Sequence, residues 1–268
     1  MVNNQFEKAI LYQPWGGLGD NLQFSTLPRR FAEDNTKTFI SRKNVYRNDE
    51  IKKIVWDPNP FITNSESNEA PNCGSDTAAT PTRALTSARN IVEWQEIRHG
   101  LEPKSLLPEI HYTPQLISDL NDTMVVDLGA YATFLHNKYN LIMLVENINS
   151  ILKENENYRT ILVNSKYNKG RLDKLYSHLE GLEIVDIFHY ADVVKSCKKF
   201  VCLYSGSNVL ASCLRKKETL CVVPYGAEKI FGPCTWLFPT VQYMIPSGII
   251  LNDSPEWKKN FSNDNDSQ

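Results

Sequence analysis

The chain has 268 residues, 41% hydrophobic and 22% charged, with 29 Lys plus Arg against 31 Asp plus Glu and a formal net charge of -2. A balance this near neutrality excludes a general nucleic-acid coat or a polybasic membrane anchor, while leaving room for a local cationic pocket. No run approaches the roughly 18 apolar residues of a spanning helix, so any membrane contact is expected to be peripheral.

Residues 1–9 carry Asn3, Asn4, Gln5, Glu7 and Lys8 where a secretory signal needs an apolar core, which makes the expected location cytoplasmic. The six cysteines contain no Cys-x-x-Cys and five fall in the last third of the chain, in apolar surroundings that read as buried thiols. The length fits two modest domains or one large one.

In chain order, residues 8–13 form a strand candidate, followed by the turn Gly16-Gly17-Leu18-Gly19-Asp20 and a helix candidate over 21–33. A second strand is expected at 37–41 and a helix at 49–55, closed by the turn Trp56-Asp57-Pro58-Asn59-Pro60. Residues 64–82 are rich in Ser, Asn, Thr, Pro and Ala and read as a long surface loop. Residues 84–99 have helical spacing, and Pro103, Pro108 and Pro114 then punctuate an extended connector.

The second half repeats the theme, with a strand at 124–127, a loop over 128–137 and an amphipathic helix over 138–152. Four further strand-like runs lie at 160–164, 183–187, 200–204 and 219–223, separated by helix-length polar segments. Strands alternating with helices predict parallel sheets covered on both faces. The predicted boundary lies near 120–123, and the polar tail after Asn252 is expected to end in disorder.

Three turns could carry chemistry. In the first, Gly16, Gly17 and Gly19 let the backbone approach a ligand, with Asp20 and Asn21 opening the helix. A dinucleotide fingerprint is not complete, since Leu22 stands at the third glycine position. Taken alone, the glycine turn reads as a tight strand-to-helix turn with Asp20 as its helix cap. The second turn, Ser205-Gly206-Ser207-Asn208, follows a strand and precedes an apolar helix, a place that favours phosphate oxygens. The third, Gly129-Ala130-Tyr131, precedes Lys138 at a helix start, where a cation is unfavourable unless an anion lies close. The five histidines are scattered without paired ligand spacing, so no metal is expected.

Taken in order, these motifs resemble the heptosyltransferase-like glycosyltransferases, which add ADP-heptose to lipopolysaccharide core. The resemblance is carried by Gly17-Leu18-Gly19-Asp20 with Leu27-Pro28 in the helix, by Gly129-Ala130-Tyr131 with Lys138, by Ser205-Gly206 before Val209-Leu210-Ala211, and by Pro224-Tyr225-Gly226 with Gly232-Pro233. The chain departs from the family at Tyr204, where an aspartate is usual, and at Val209, where a histidine is usual.

The resemblance implies an α/β fold of two Rossmann-like domains facing a cleft, the GT-B arrangement. Residues 1–122 would form the acceptor side, 123–252 the nucleotide-sugar donor side and 253–268 a partly disordered tail. It also implies a metal-independent inverting glycosyltransferase acting on a glycan or glycolipid acceptor. Asp20 would be the general base and Lys138 would stabilise the leaving diphosphate. Gly129, Ala130, Tyr131, Ser205, Gly206, Ser207 and Asn208 would bind the donor, and Gly16, Gly17, Gly19 and Asn21 would form the acceptor loop. The alternatives are a non-catalytic nucleotide-binding module of the same fold and an NADP-linked oxidoreductase using Arg42.

Overall fold

The structure, a computed structural model, describes residues 7–74, 87–129, 138–165, 171–224, 231 and 235–261. The chain divides into two compact units, Met1–Thr113 with Gly232–Leu237, and Pro114–Phe231 with Phe238–Gln268. Among the described residues, no helix is long and apolar enough to cross a membrane.

The first unit is built on a parallel sheet in which β1 (Lys8–Tyr12) lies between β2 (Lys37–Ile40) and β3 (Cys73–Gly74). Ala9, Ile10 and Leu11 are all buried, the run expected of a central strand covered on both faces. Parallel bridges Thr38↔Ile62 and Ser41↔Ser67 extend the sheet beyond β2. The stretch read from sequence as a surface loop therefore contributes pairing at Ser67 and a fully buried Cys73. Tight backbone approach explains the miss: at Gly74, φ is +142° and an added Cβ would sit 2.0 Å from the Tyr12 carbonyl oxygen. The Gly74 amide donates to His99 Nε2 at 2.8 Å, and burial pushes the His99 pKa down to about 4.

The helix predicted over 21–33 is two helices, α1 (Leu18–Leu22) and α2 (Leu27–Glu33). Pro28 is the cause, because it has no N–H to continue a helix and is tolerated only in a first turn, where it now stands. The helix α3 (Asp49–Val55) is capped by the Asn48 side chain, which accepts from the Ile51 amide at 3.1 Å. Helix α4 (Ile91–Arg98) is capped by the fully buried Asn90, and the first three residues of its predicted span, 84–86, lie outside the described residues. Asn90 Oδ1 caps Val92 and Glu93, and its Nδ2 donates to the carbonyls of Leu106 and Leu237. A buried ion pair at 3.2 Å, Arg30 with Glu96, ties α2 to α4.

The second unit is a six-stranded parallel sheet in the order β6-β5-β4-β7-β8-β9. Its strands are β4 (Thr123–Asp127), β5 (Arg159–Ser165), β6 (Glu180–Ile184), β7 (Lys199–Leu203), β8 (Thr219–Val222) and β9 (Gln242–Met244). The helices are α5 (Lys138–Glu154), α6 (Arg171–Leu175), α7 (Ile187–Ser196), α8 (Gly206–Cys213) and α9 (Pro255–Phe261). The chain runs outward from β4 to β6 and returns to β7 on the other side, which places a topological switch point between β4 and β7.

Side chains alternate across these strands. Met124, Val126, Val201, Leu203, Leu220 and Val222 pack with Leu144, Ile148 and Ile151 of α5. The opposite face carries Phe200, whose ring meets Tyr190 of α7 edge-on at 6.5 Å. The strand predicted at 183–187 lies at 180–184, because Asp186 caps α7 by accepting from the His189 amide at 2.7 Å. In the polar tail, Trp257 and Phe261 stack at 4.4 Å and bury one face of α9. The described cysteines, Cys73, Cys197, Cys202, Cys213 and Cys221, are free and buried.

Candidate active site

The first turn joins β1 to α1. Gly16 admits no side chain, since an added Cβ would lie 2.6 Å from the Arg47 amide nitrogen and 3.0 Å from the Tyr46 carbonyl carbon. That approach allows the Arg47 amide to donate to the Gly16 carbonyl at 2.8 Å. At Gly17 the obstacle is Asp20, whose Oδ2 would be 2.5 Å from an added Cβ and which accepts from the Gly17 amide at 3.1 Å.

Gln13 braces the same turn by donating to the Asp20 carbonyl at 2.9 Å while accepting from the Trp15 amide. Asn21 is fully buried, its Nδ2 donating to the Gly17 carbonyl and its Oδ1 accepting from Trp56 Nε1 at 2.9 Å and Asn44 Nδ2 at 3.3 Å. Asn21 therefore holds the loop's shape from behind.

Asp20 is half-buried. Its pKa is raised above the ordinary aspartate value, chiefly by burial, against the opposing pull of the Gly17 amide and the Arg47 charge. Only Oδ2 is used by the cap; Oδ1 has no hydrogen-bond partner among the described residues. The two roles suggested by the sequence are thus compatible, one oxygen capping and the other open for a proton.

The second turn joins β7 to α8. Ser205 is its cap in a reciprocal box: Ser205 Oγ accepts from the Ser207 amide at 3.3 Å, and Asn208 Oδ1 accepts from the Ser205 amide at 3.0 Å. Ser205 Oγ donates to the Leu203 carbonyl, and Asn208 Nδ2 reaches the Tyr243 hydroxyl at 3.4 Å. The Ser205 and Ser207 amides, expected from sequence to face a ligand, are therefore satisfied inside the turn. The Gly206 amide has no partner among the described residues.

Beside this turn lies Asp127, the last residue of β4, which sequence reasoning left unassigned. Its Oδ1 accepts from the Gly129 amide at 2.9 Å, and its Oδ2 accepts from Ser207 Oγ at 2.6 Å and from the Tyr190 hydroxyl. A lone carboxylate closing an apolar strand two residues before a glycine was the available signal.

Gly129, Ser205, Gly206, Ser207 and Asn208 are thus gathered at the carboxyl ends of adjacent strands. Lys138 opens α5, but its side chain, together with Ala130 and Tyr131, lies outside the described residues. So do Tyr225, Gly226, Gly232 and Pro233. Val209, at the family's histidine position, is fully buried and packs inside the unit.

No family model and no curated protein matches the chain. Solved structures do match in fold. TibC from enterotoxigenic E. coli H10407, a dodecameric iron-containing glycosyltransferase, aligns at TM-score 0.58 and 13% identity over 87% of this chain and 61% of its own. The present chain therefore spans about three fifths of that protein, which has also been solved with ADP-D-beta-D-heptose. E. coli ADP-heptose lipopolysaccharide heptosyltransferase II aligns at 0.56 and 12% identity over 95% and 98%. A family 9 glycosyltransferase from Veillonella parvula aligns at 0.54 and 8% identity over 91% and 87%. The fold is mixed α/β with parallel sheets, similar to that of these Rossmann-like glycosyltransferases. Among the described residues, no group of three or more His, Cys, Asp or Glu is placed to hold a metal ion.

Proposed function

We propose that the chain is a cytoplasmic glycosyltransferase that moves a sugar from a nucleotide-sugar donor to a glycan or glycolipid acceptor, by inversion and without a metal. In this reading residues 1–122 and 123–252 face one another in a GT-B arrangement, the first holding the acceptor and the second the donor. The acceptor hydroxyl attacks the anomeric carbon and passes its proton to Asp20. The sugar–phosphate bond breaks with its electrons on the departing nucleoside diphosphate. Lys138 and the Gly206 amide at the start of α8 offset the charge that gathers on that group.

The observation that carries this reading is the state of Asp20. An oxygen without a hydrogen-bond partner among the described residues and a pKa raised by burial make it a better base than an exposed aspartate, and it stands on a turn that hydrogen bonds hold in place. The fold matches supply the reaction class. Hydrolysis or transfer of ADP-, GDP- and UDP-sugars, followed in EDTA with Asp20→Asn as control, tests it. Turnover by the wild type that Asp20→Asn abolishes is the expected result. Absence of turnover with every donor removes the enzyme reading. The self-satisfied turn at Ser205 and the buried Val209 favour, as a second reading, a module that binds nucleotides without chemistry, for which binding without turnover is the signature.

A further inference from the structure

We propose that Asp127 is the positioning residue of the donor side, fixing the end of β4 at Gly129 against the first turn of α8. This rests on the reading that the carboxyl end of this sheet holds the nucleotide. A carboxylate only 2% exposed is costly unless donors surround it. Here three neutral donors do, each from a different part of the chain: the Gly129 amide just past β4, the Tyr190 hydroxyl on α7 and Ser207 Oγ on α8.

The strand register sets Asp127 beside Cys202 of β7, so the carboxylate lies at the switch point itself. An apolar residue would fill the same volume with less desolvation. What it could not do is dictate where a backbone amide and a helix's first turn must stand. Hydrogen bonds are directional, and these three converge where a ligand is expected. Asp127 touches no reacting atom in this scheme; it acts through Gly129 and Ser207.

The experiment compares the wild type with Asp127→Ala, Asp127→Asn and Tyr190→Phe, reading three quantities: the exchange rate of the Gly129 amide by NMR, ADP affinity by calorimetry, and melting temperature. Asp127→Asn retains an oxygen for the Gly129 amide, whereas Asp127→Ala does not. Tyr190→Phe removes one donor to the carboxylate and leaves Gly129 bonded. The expected result is that Asp127→Ala speeds Gly129 exchange and weakens ADP binding by about 10-fold or more each, the scale of leaving a buried hydrogen-bonding group without its partner. Asp127→Asn and Tyr190→Phe are expected to stay within about 3-fold of wild type in both, whatever their melting temperatures.

Unchanged Gly129 exchange in Asp127→Ala overturns the proposal. So does an ADP affinity that follows melting temperature across all three variants, since that describes a structural residue only. A wild type that binds none of ADP, GDP and UDP overturns the donor reading instead, and Gly129 exchange then still decides for or against Asp127.

Discussion

The turn after β1 and the turn after β7 are built from the same parts, a parallel strand, small residues and a short capped helix, yet they dispose of their polar atoms differently. In the first, Asn21 and Gln13 satisfy the backbone from behind, and Asp20 is left with a raised pKa and one oxygen unbonded among the described residues. In the second, Ser205, Ser207 and Asn208 satisfy one another, and the nearby Asp127 carboxyl group is enclosed by donors. The same supersecondary unit can therefore present a titratable group or withhold one. Which it does depends on residues outside the motif.

The sharpest way to break this contrast is Asp20→Asn. It keeps the shape and leaves an oxygen to accept from the Gly17 amide, so the cap survives. Transfer should fall about 100-fold or more, the usual scale for removing a general base, while melting temperature stays at or above that of the wild type. A wild-type rate in the variant would reduce Asp20 to a cap. Changing the support behind it sharpens the contrast from the other side. Asn21→Ala leaves the Trp56 indole N–H and the Asn44 amide without their shared acceptor, and should cost about 2 kcal/mol in denaturant unfolding. In the second turn, Ser205→Ala removes the cap on the Ser207 amide and the hydroxyl donor to the Leu203 carbonyl, leaves Asn208 bonded to the residue 205 amide, and should cost about 1 kcal/mol, with Gly129 exchange unaltered. If Ser205→Ala proved as damaging as Asn21→Ala, the two turns would be equally dependent on their supports.

Legibility in the sequence followed the range of the interactions. The parallel α/β character, β4, β7 and the start of α5 could be read from apolar runs and glycine spacing, because those signals are local. Asp20 could be singled out for the same reason. The role of Asn21 could not, since its partners Asn44 and Trp56 lie 23 and 35 residues away and nothing in their spacing announces a network. Asp127 was hidden by its own context. Its bond to Ser207 spans 80 residues and exists only once β4 and β7 are neighbours. Strand β3 escaped because two residues pairing beside a left-handed-side glycine leave no periodic trace. The break between α1 and α2 was legible in Pro28 alone and was overridden by the helical spacing around it.

The smallest expected effect is one of pH, and it acts in opposite directions on rate and on stability. Burial holds the Asp20 pKa above the ordinary aspartate value, so in the folded chain the carboxyl binds its proton more tightly than in the unfolded chain. Its contribution to stability is therefore fully present below the unfolded pKa and is lost as pH rises through the folded one. The base, by contrast, becomes active over that same rise, as the proton leaves. The acid limb of kcat/KM should accordingly sit above the pKa of an exposed aspartate, and Asp20→Asn, which cannot ionise, should lose that limb. Over the same interval the melting temperature of Asp20→Asn should gain slightly on that of the wild type with rising pH. Thermal melts and initial rates across the acid range measure both. A gain in stability without the change in rate would mean that the buried charge is a structural cost unconnected with transfer. A change in rate without the gain would place the titrating group elsewhere in the turn.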